Sequence, residues 1–237
     1  EEVKTTLAFV KTFENGDRDF AFYRNPGADM MLTEEEVDGE QVKNSRIFHF
    51  GTLSMTHEGV CKATEKAVNI AKENGTLISF DPNLRIPLWK DLGLAKEKME
   101  YGLSKCDVCK ISEEEVEFLT GEKDIEKGAA ILRGKFPVKL FQVTAGAEGS
   151  YAFYKDLVVY KPSFKLGGTI ETTGAGDTFC GSVLHGLLDR DIDNLTKEDL
   201  EQMLTFANAA AYLVTTKKGA IRSMPEPEDV MQIIKQN

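Results

Sequence analysis

At 237 residues, 41% hydrophobic and 29% charged, the chain has an ordinary soluble composition and can bury one large core, or a core with a small appendage. Its formal net charge of -10 argues against a nucleic-acid-binding surface, which needs a dense positive patch. No apolar run approaches the roughly 18 residues that span a bilayer, and no basic-then-apolar signal opens the chain, so the expectation is a cytoplasmic protein with neither nucleic acid nor membrane as partner.

Residues 5–10 and 19–23 carry β-branched and aromatic residues on either side of Glu14-Asn15-Gly16-Asp17. Asn15-Gly16 is a strong hairpin signal, so an antiparallel hairpin is expected. After residues 25–27 the pattern changes to short apolar runs alternating with amphipathic stretches of helical period, as in βα units. Residues 46–50 read as a strand, 56–74 as a helix stopped by Gly75, and 76–80 as a strand leading into Asp81-Pro82-Asn83. A helix over 94–103, a strand over 107–111 and acidic helices over 113–119 and 125–133 follow. The strand 139–144 then leads into Ala145-Gly146-Ala147-Glu148-Gly149, and 151–160 reads as a second hairpin. The last third is helical, over 176–188, 197–215 and 228–235. Cys61, Cys106, Cys109 and Cys180 are too few for a disulfide scaffold. Cys106 and Cys109 form a CxxC, but His49, His57 and His185 are not spaced to supply a second zinc-ligand pair.

In an open parallel sheet, ligands sit beyond the carboxyl ends of the strands. Residues 81–85, 144–149 and 172–177 fall there. The run Glu171-Thr172-Thr173-Gly174-Ala175-Gly176-Asp177-Thr178-Phe179 opens directly into an apolar helix, so its small residues bring unpaired N–H groups to a positive helix end suited to an anion. Glycine admits the positive φ of an anion nest, and no large Cβ keeps a phosphate away. Asp177 has two readings at this point: a general base beside the anion, or a helix cap facing solvent.

These residues resemble, almost one for one, the C-terminal signature of the ribokinase-like (PfkB-type) carbohydrate kinases. The same family's order continues along the chain. Asp81-Pro82-Asn83-Leu84-Arg85 with Leu88-Trp89 is similar to the fructokinase version of the sugar-side loop. Ser112-Glu113-Glu114-Glu115 resembles the Asn-x-x-Glu segment, Val143-Thr144-Ala145-Gly146 the nucleotide loop, and Asn208-Ala209-Ala210-Ala211 with Lys218-Gly219-Ala220 the adenine-side helix and loop.

The resemblance implies a ribokinase-like α/β fold, with a central, mostly parallel sheet flanked by helices on both faces and a small β lid. Residues 1–30 would be the lid remnant and 31–237 the nucleotide- and sugar-binding core. It implies ATP-dependent phosphorylation of a ketohexose, D-fructose foremost, with 2-keto-3-deoxygluconate, ribose, a nucleoside, or a non-catalytic binding role as alternatives. Asp177 would be the base, and the amides of Ala175, Gly176 and Asp177, following Gly174, the anion hole. Thr144, Gly146, Gly149, Asn208, Gly219 and Ser112 would line the nucleotide, and Glu115 would act on Mg²⁺ through water. Glu171 and Thr173, with carbonyls of Val214, Lys217, Gly219 and Ser223, would hold a monovalent cation such as K⁺. Asp81, Asn83, Arg85 and Arg24 would face the sugar, Arg85 having an ordinary surface ion pair as its alternative. Lys110 would bring charge toward ATP, or else be a solvated strand-end lysine. Glu171 stands where aspartate is commoner, and Ser112 where asparagine is. A homodimer through the lid is expected from the apolar hairpin residues Phe9, Phe13, Phe20 and Phe22. The family's first strand and its glycine-pair sugar segment are not among these residues, so a longer natural protein is expected.

Overall fold

The computed structural model describes residues 2–12 and 18–236. They group into two compact units, Glu1–Phe9 with Phe20–Val138, and Val10–Asp19 with Lys139–Asn237. β1 (Leu7–Thr12) and β2 (Arg18–Tyr23) form a separate two-stranded sheet. The turn residues Asn15 and Gly16, and Phe13, lie outside the described residues.

In the first unit, α1 (Gly39–Lys43) is a short helix capped by Asp38, whose carboxylate accepts from the amides of Glu40 and Gln41. It is too short to show a period in sequence, and it was not foreseen. β3 (Ile47–Gly51), β4 (Leu77–Asp81) and β5 (Val108–Ser112) run parallel, Ile47 opposite Leu77 and Ser79 opposite Val108. The near-unbroken burial along β4 and β5 is what a strand covered on both faces requires. Helices α2 (Glu58–Glu73) and α3 (Leu92–Lys105) are the crossovers. α4 (Glu113–Thr120) leaves β5 without a loop, and α5 (Ile125–Lys135) follows. The core gathers around Phe80, Ile78, Met99 and Leu103, all fully buried.

In the second unit, β6 (Leu140–Thr144), β7 (Gly149–Tyr154) and β8 (Leu157–Pro162) form an antiparallel meander, so the second hairpin is present as expected. α6 (Ala175–Leu187), α7 (Lys197–Thr215) and α8 (Pro227–Gln236) complete it. α7 packs against α6, α8, β7 and β8. The small residues Ala209 and Ala210 let Phe164 and Val230 close against α7, with Ile233 and Ile234 of α8 on the same cluster. No helix among the described residues is long and apolar enough to cross a membrane, and the four cysteines are buried and not joined in disulfides.

Candidate active site

The second unit carries the glycine-rich segment. α6 begins after Gly174, which sits in the left-handed region at φ 79° and caps the helix with no side-chain acceptor. A Cβ at Gly174 would meet Ala220 only in ordinary contact at 3.4 Å, so it is the positive φ that favours glycine here. Thr178 N–H donates to the Gly174 carbonyl at 2.8 Å, and Ala175 N–H closes the preceding turn on Thr172 at 3.2 Å. The amides of Gly176 and Asp177 have no partner among the described residues. Of the three expected anion-hole amides, two are therefore open and Ala175 is engaged.

Asp177 is the third residue of the helix and is exposed. The cap position belongs to Gly174, so the reading of Asp177 as a cap is not realised. Two hydroxyls near this turn, Thr173 Oγ1 and Thr178 Oγ1, are buried without a hydrogen-bond partner. A buried hydroxyl left unpaired costs free energy, and a bound ligand or water removes that cost.

Glu171 and Thr173 lead into the cradle. Glu171 Oε1 accepts the Gly219 amide at 2.6 Å, and the amides of Ile170 and Glu171 both donate to Thr215 O, at 2.8 and 3.3 Å. The loop after α7 is further folded by Lys217 N–H on Val214 O, 3.3 Å, and by Ser223 Oγ on Lys218 O, 2.7 Å. Glu171, Gly219, Val214, Lys217 and Ser223 thus belong to one hydrogen-bonded patch, in which Glu171 spends one oxygen on the loop.

On the nucleotide side, Thr144 ends β6 half-buried, and Gly146 is exposed on the short turn that follows. Gly149 has a structural reason to be glycine: at φ 129° its Cβ would lie 2.2 Å from Lys161 O of β8. Asn208 corrects its sequence reading. Its Oδ1 accepts from Ser150 Oγ at 2.9 Å, and its Nδ2 donates to Lys161 O at 3.0 Å and Pro162 O at 3.2 Å. With its amide committed on both sides and the residue buried, Asn208 pins α7 to β7 and β8 and does not present its side chain to a nucleotide.

The first unit carries the loop after β4. Asp81 Oδ1 accepts the Asn83 amide at 3.1 Å, an Asx turn that places Asn83 in the left-handed region at φ 48°. Pro82 O takes two bonds from Thr52, N–H at 3.2 Å and Oγ1 at 2.6 Å. Leu84 N–H donates to Glu115 Oε1 at 2.6 Å, and Ser112 N–H to Glu115 Oε2 at 2.9 Å. The Glu115 N–H in turn donates to Ser112 Oγ at 3.3 Å, so the two residues form a capping box on α4. Burial, and next the charge of Asp81, push Glu115 above the usual carboxylate range; Lys110 and the two amides pull it down.

Three expectations change here. Lys110 is buried and its ammonium lies 3.1 Å from Asp81 Oδ2, so it is not a solvated strand-end lysine. Asp81 is buried with both oxygens engaged, and Ser112 Oγ caps a helix; both hold structure where ligand contacts were expected. The Arg24 guanidinium, only 6% exposed, is spent on Asp29 (2.7 and 2.6 Å), Thr56 Oγ1 (2.7 Å) and Leu53 O (2.9 Å). Its expected reach to a sugar is replaced by tying the segment after β2 to the turn before α2. Arg85 differs: half-buried and without a carboxylate partner among the described residues, it stacks over the Phe20 ring at 5.4 Å and donates weakly to Leu84 O. Its ion-pair alternative is not realised.

A family model for pfkB family carbohydrate kinases matches residues 1–227. Fructokinase-1 of Zea mays is 39% identical over 98% of this chain and 71% of its own length. Fructokinase-1 of Oryza sativa is 38% identical over 98% and 71%. The chain belongs to the pfkB family of carbohydrate kinases. Among solved structures, Xylella fastidiosa fructokinase with bound ATP matches this kinase with a TM-score of 0.87 at 27% identity, covering 99% of this chain and 74% of that one. Vibrio cholerae fructokinase, bound to fructose, ADP and a calcium ion, gives 0.86 at 29%, covering 96% and 73%.

The residues of this kinase suit a metal brought in with a nucleotide. Among the described residues no three His, Cys, Asp or Glu side chains cluster to cage an ion. Mg²⁺ is commonly held by one or two carboxylates, waters and substrate phosphates, and Glu115, each of whose oxygens keeps a second lone pair, fits an outer position of that kind. The unpartnered Thr173 Oγ1 and the second oxygen of Glu171 fit a monovalent cation in the same sense. Two features went unread in the sequence. Ser112-x-x-Glu115 is a capping-box pattern visible by spacing alone, whereas the Thr52 to Pro82 clamp has no local signal.

Proposed function

We propose that this kinase transfers the γ-phosphoryl group of ATP to a hydroxyl of D-fructose, with Asp177 as general base. The observation that carries the reading is the start of α6, which has no side-chain cap and where two open amides stand beside an exposed carboxylate in the helix's first turn. Fructokinase relatives at 38–39% identity support the choice of sugar. The sugar oxygen attacks the γ-phosphorus, the bond from that phosphorus to the β–γ bridging oxygen breaks, ADP departs, and Asp177 accepts the hydroxyl proton. The amides of Gly176 and Asp177 hold phosphoryl oxygens at the positive end of the helix. Asn83 and Arg85 offer donors to sugar oxygens, and Thr144 and Gly146 border the nucleotide. Mg²⁺, when bound, would balance phosphate charge, with Glu115 acting on it through water; Glu171 and Thr173 would hold K⁺.

We place the protein in the cytoplasm, acting as a homodimer through the lid. Phe9 at 56% exposure supports the pairing face, and Phe20 and Phe22 are half-buried.

A panel of fructose, ribose, 2-keto-3-deoxygluconate and a nucleoside in an ADP-release assay tests the substrate. Fructose should be turned over best. Asp177→Ala should lower kcat by about 10²- to 10⁴-fold while the KM for ATP stays nearly constant. Unchanged turnover in that variant would remove Asp177 from the chemistry.

A further inference from the structure

We propose that Lys110 is a positioning residue for the sugar-side loop, acting through its buried ion pair with Asp81. The inference rests on the kinase reading above and extends it to a residue that contacts neither substrate.

The geometry is specific. Lys110 and Asp81 side chains are 8% and 5% exposed and 3.1 Å apart. Two carboxylates, Asp81 and Glu115, are buried in this part of the first unit, and each holds one turn of the same loop: Asp81 the amide of Asn83, Glu115 the amide of Leu84. With the Thr52 clamp on Pro82, three consecutive loop residues hang from buried groups by their backbone. Their side chains are thereby left for other work, and Arg85 follows directly.

Two neighbouring anions out of water repel each other, and a buried charge with no counter-charge is strongly unfavourable. The Lys110 ammonium supplies the balancing charge at the oxygen of Asp81 that the Asx turn does not use. Strand β5 delivers it: Lys110 and Ser112 lie on the same face of the strand, so the cation sits two residues before the cap of α4 that fixes Glu115. Removing Lys110 alone leaves Asp81 as an unbalanced buried carboxylate and frees the turn at Asn83. Removing both charges while keeping an acceptor at position 81 restores balance, because an asparagine carbonyl still receives the Asn83 amide.

The test compares the full chain with Lys110→Met, Asp81→Asn and the double variant, by steady-state kinetics with fructose and ATP and by thermal unfolding. Lys110→Met should raise the KM for fructose by about 10- to 100-fold, as loop misplacement does. Its KM for ATP should stay within about twofold, and its Tm should fall. The double variant should recover most of the Tm and of the fructose KM, the non-additivity expected of one coupled pair. If Lys110→Met does not fold while the double variant does, the coupling is supported, and the double variant carries the kinetic comparison.

A rise in the ATP KM that matches or exceeds the rise for fructose would make Lys110 a nucleotide ligand and overturn the proposal. So would a double variant no better than Lys110→Met, or no folded protein in either case. Absence of sugar phosphorylation by the unaltered chain would overturn the kinase reading and the sugar role with it. The unfolding arm would then decide by itself whether the two charges act as a pair.

Discussion

The start of α6 and the loop after β4 both place polar groups at the end of a secondary-structure element, and they treat those groups in opposite ways. At α6 the helix is capped by a glycine, two amides are open, and two buried hydroxyls have no partner. In the loop, the amides of Asn83 and Leu84 and the carbonyl of Pro82 all end on buried groups. An open set is what a region needs when its ligand completes it; a closed set is what a region needs when it must hold side chains still. The first should therefore fail by losing ligand, the second by losing fold.

The largest effect expected from this contrast is at Glu115. Replacing it with alanine strands the part-buried amides of Leu84 and Ser112, and at about 1–3 kcal/mol for each unpaired group the loss should be about 2–6 kcal/mol in urea unfolding, without any ligand present. A loss within error of zero would mean that the loop is not hung from this carboxylate. A smaller effect of opposite kind is expected at Thr178→Val. Deleting a hydroxyl that has no partner should leave the Tm of the unliganded chain unchanged or slightly raised, while the protection that ATP gives against thermal unfolding shrinks. A clear fall in Tm without ligand would show that the cradle is closed by contacts of its own.

The smallest effect lies away from both regions. Asp199 is held down to about 2 by bonds from Thr196 and then by Arg190. Its folded pKa lies below the unfolded value of about 3.9, so its contribution is present above about pH 4 and is lost as pH falls toward 2. Asp199→Asn should cost less than about 1 kcal/mol near neutrality, because the carboxylate is solvent-screened. The gap between variant and unaltered chain should close on acidification, read by denaturation at stepped pH. A gap that stays constant with pH would point to geometry as the cause and not charge.

What the sequence disclosed follows the range of each interaction. The α/β class, the long helices and the glycine-rich segment are local patterns, and α7 falls on residues 197–215 as its period indicated. Asn208 shows where local reading ends. Its three partners are Ser150, Lys161 and Pro162, 58, 47 and 46 residues away, and no spacing along the chain announces that its amide is already occupied. Arg24 and Asp81 fail for the same reason: a polar residue near a ligand loop looks identical in sequence whether its donors and acceptors face a substrate or a neighbouring strand. Lys110 is the sharpest instance, since a lysine at a strand end is ordinarily solvated, and only the tertiary fold reveals the anion that buries it. Ser112 is legible by spacing alone, since a serine three residues before a glutamate at a helix start is a capping-box pattern.

The glycine at the head of α6 has one more consequence. Gly174 caps α6 with backbone alone, so in the proposed reaction an incoming phosphate would complete the first turn by accepting from the amides of Gly176 and Asp177. Amide exchange at Gly176 and Asp177 should then slow when nucleotide is bound, a reading of occupancy that needs no catalysis.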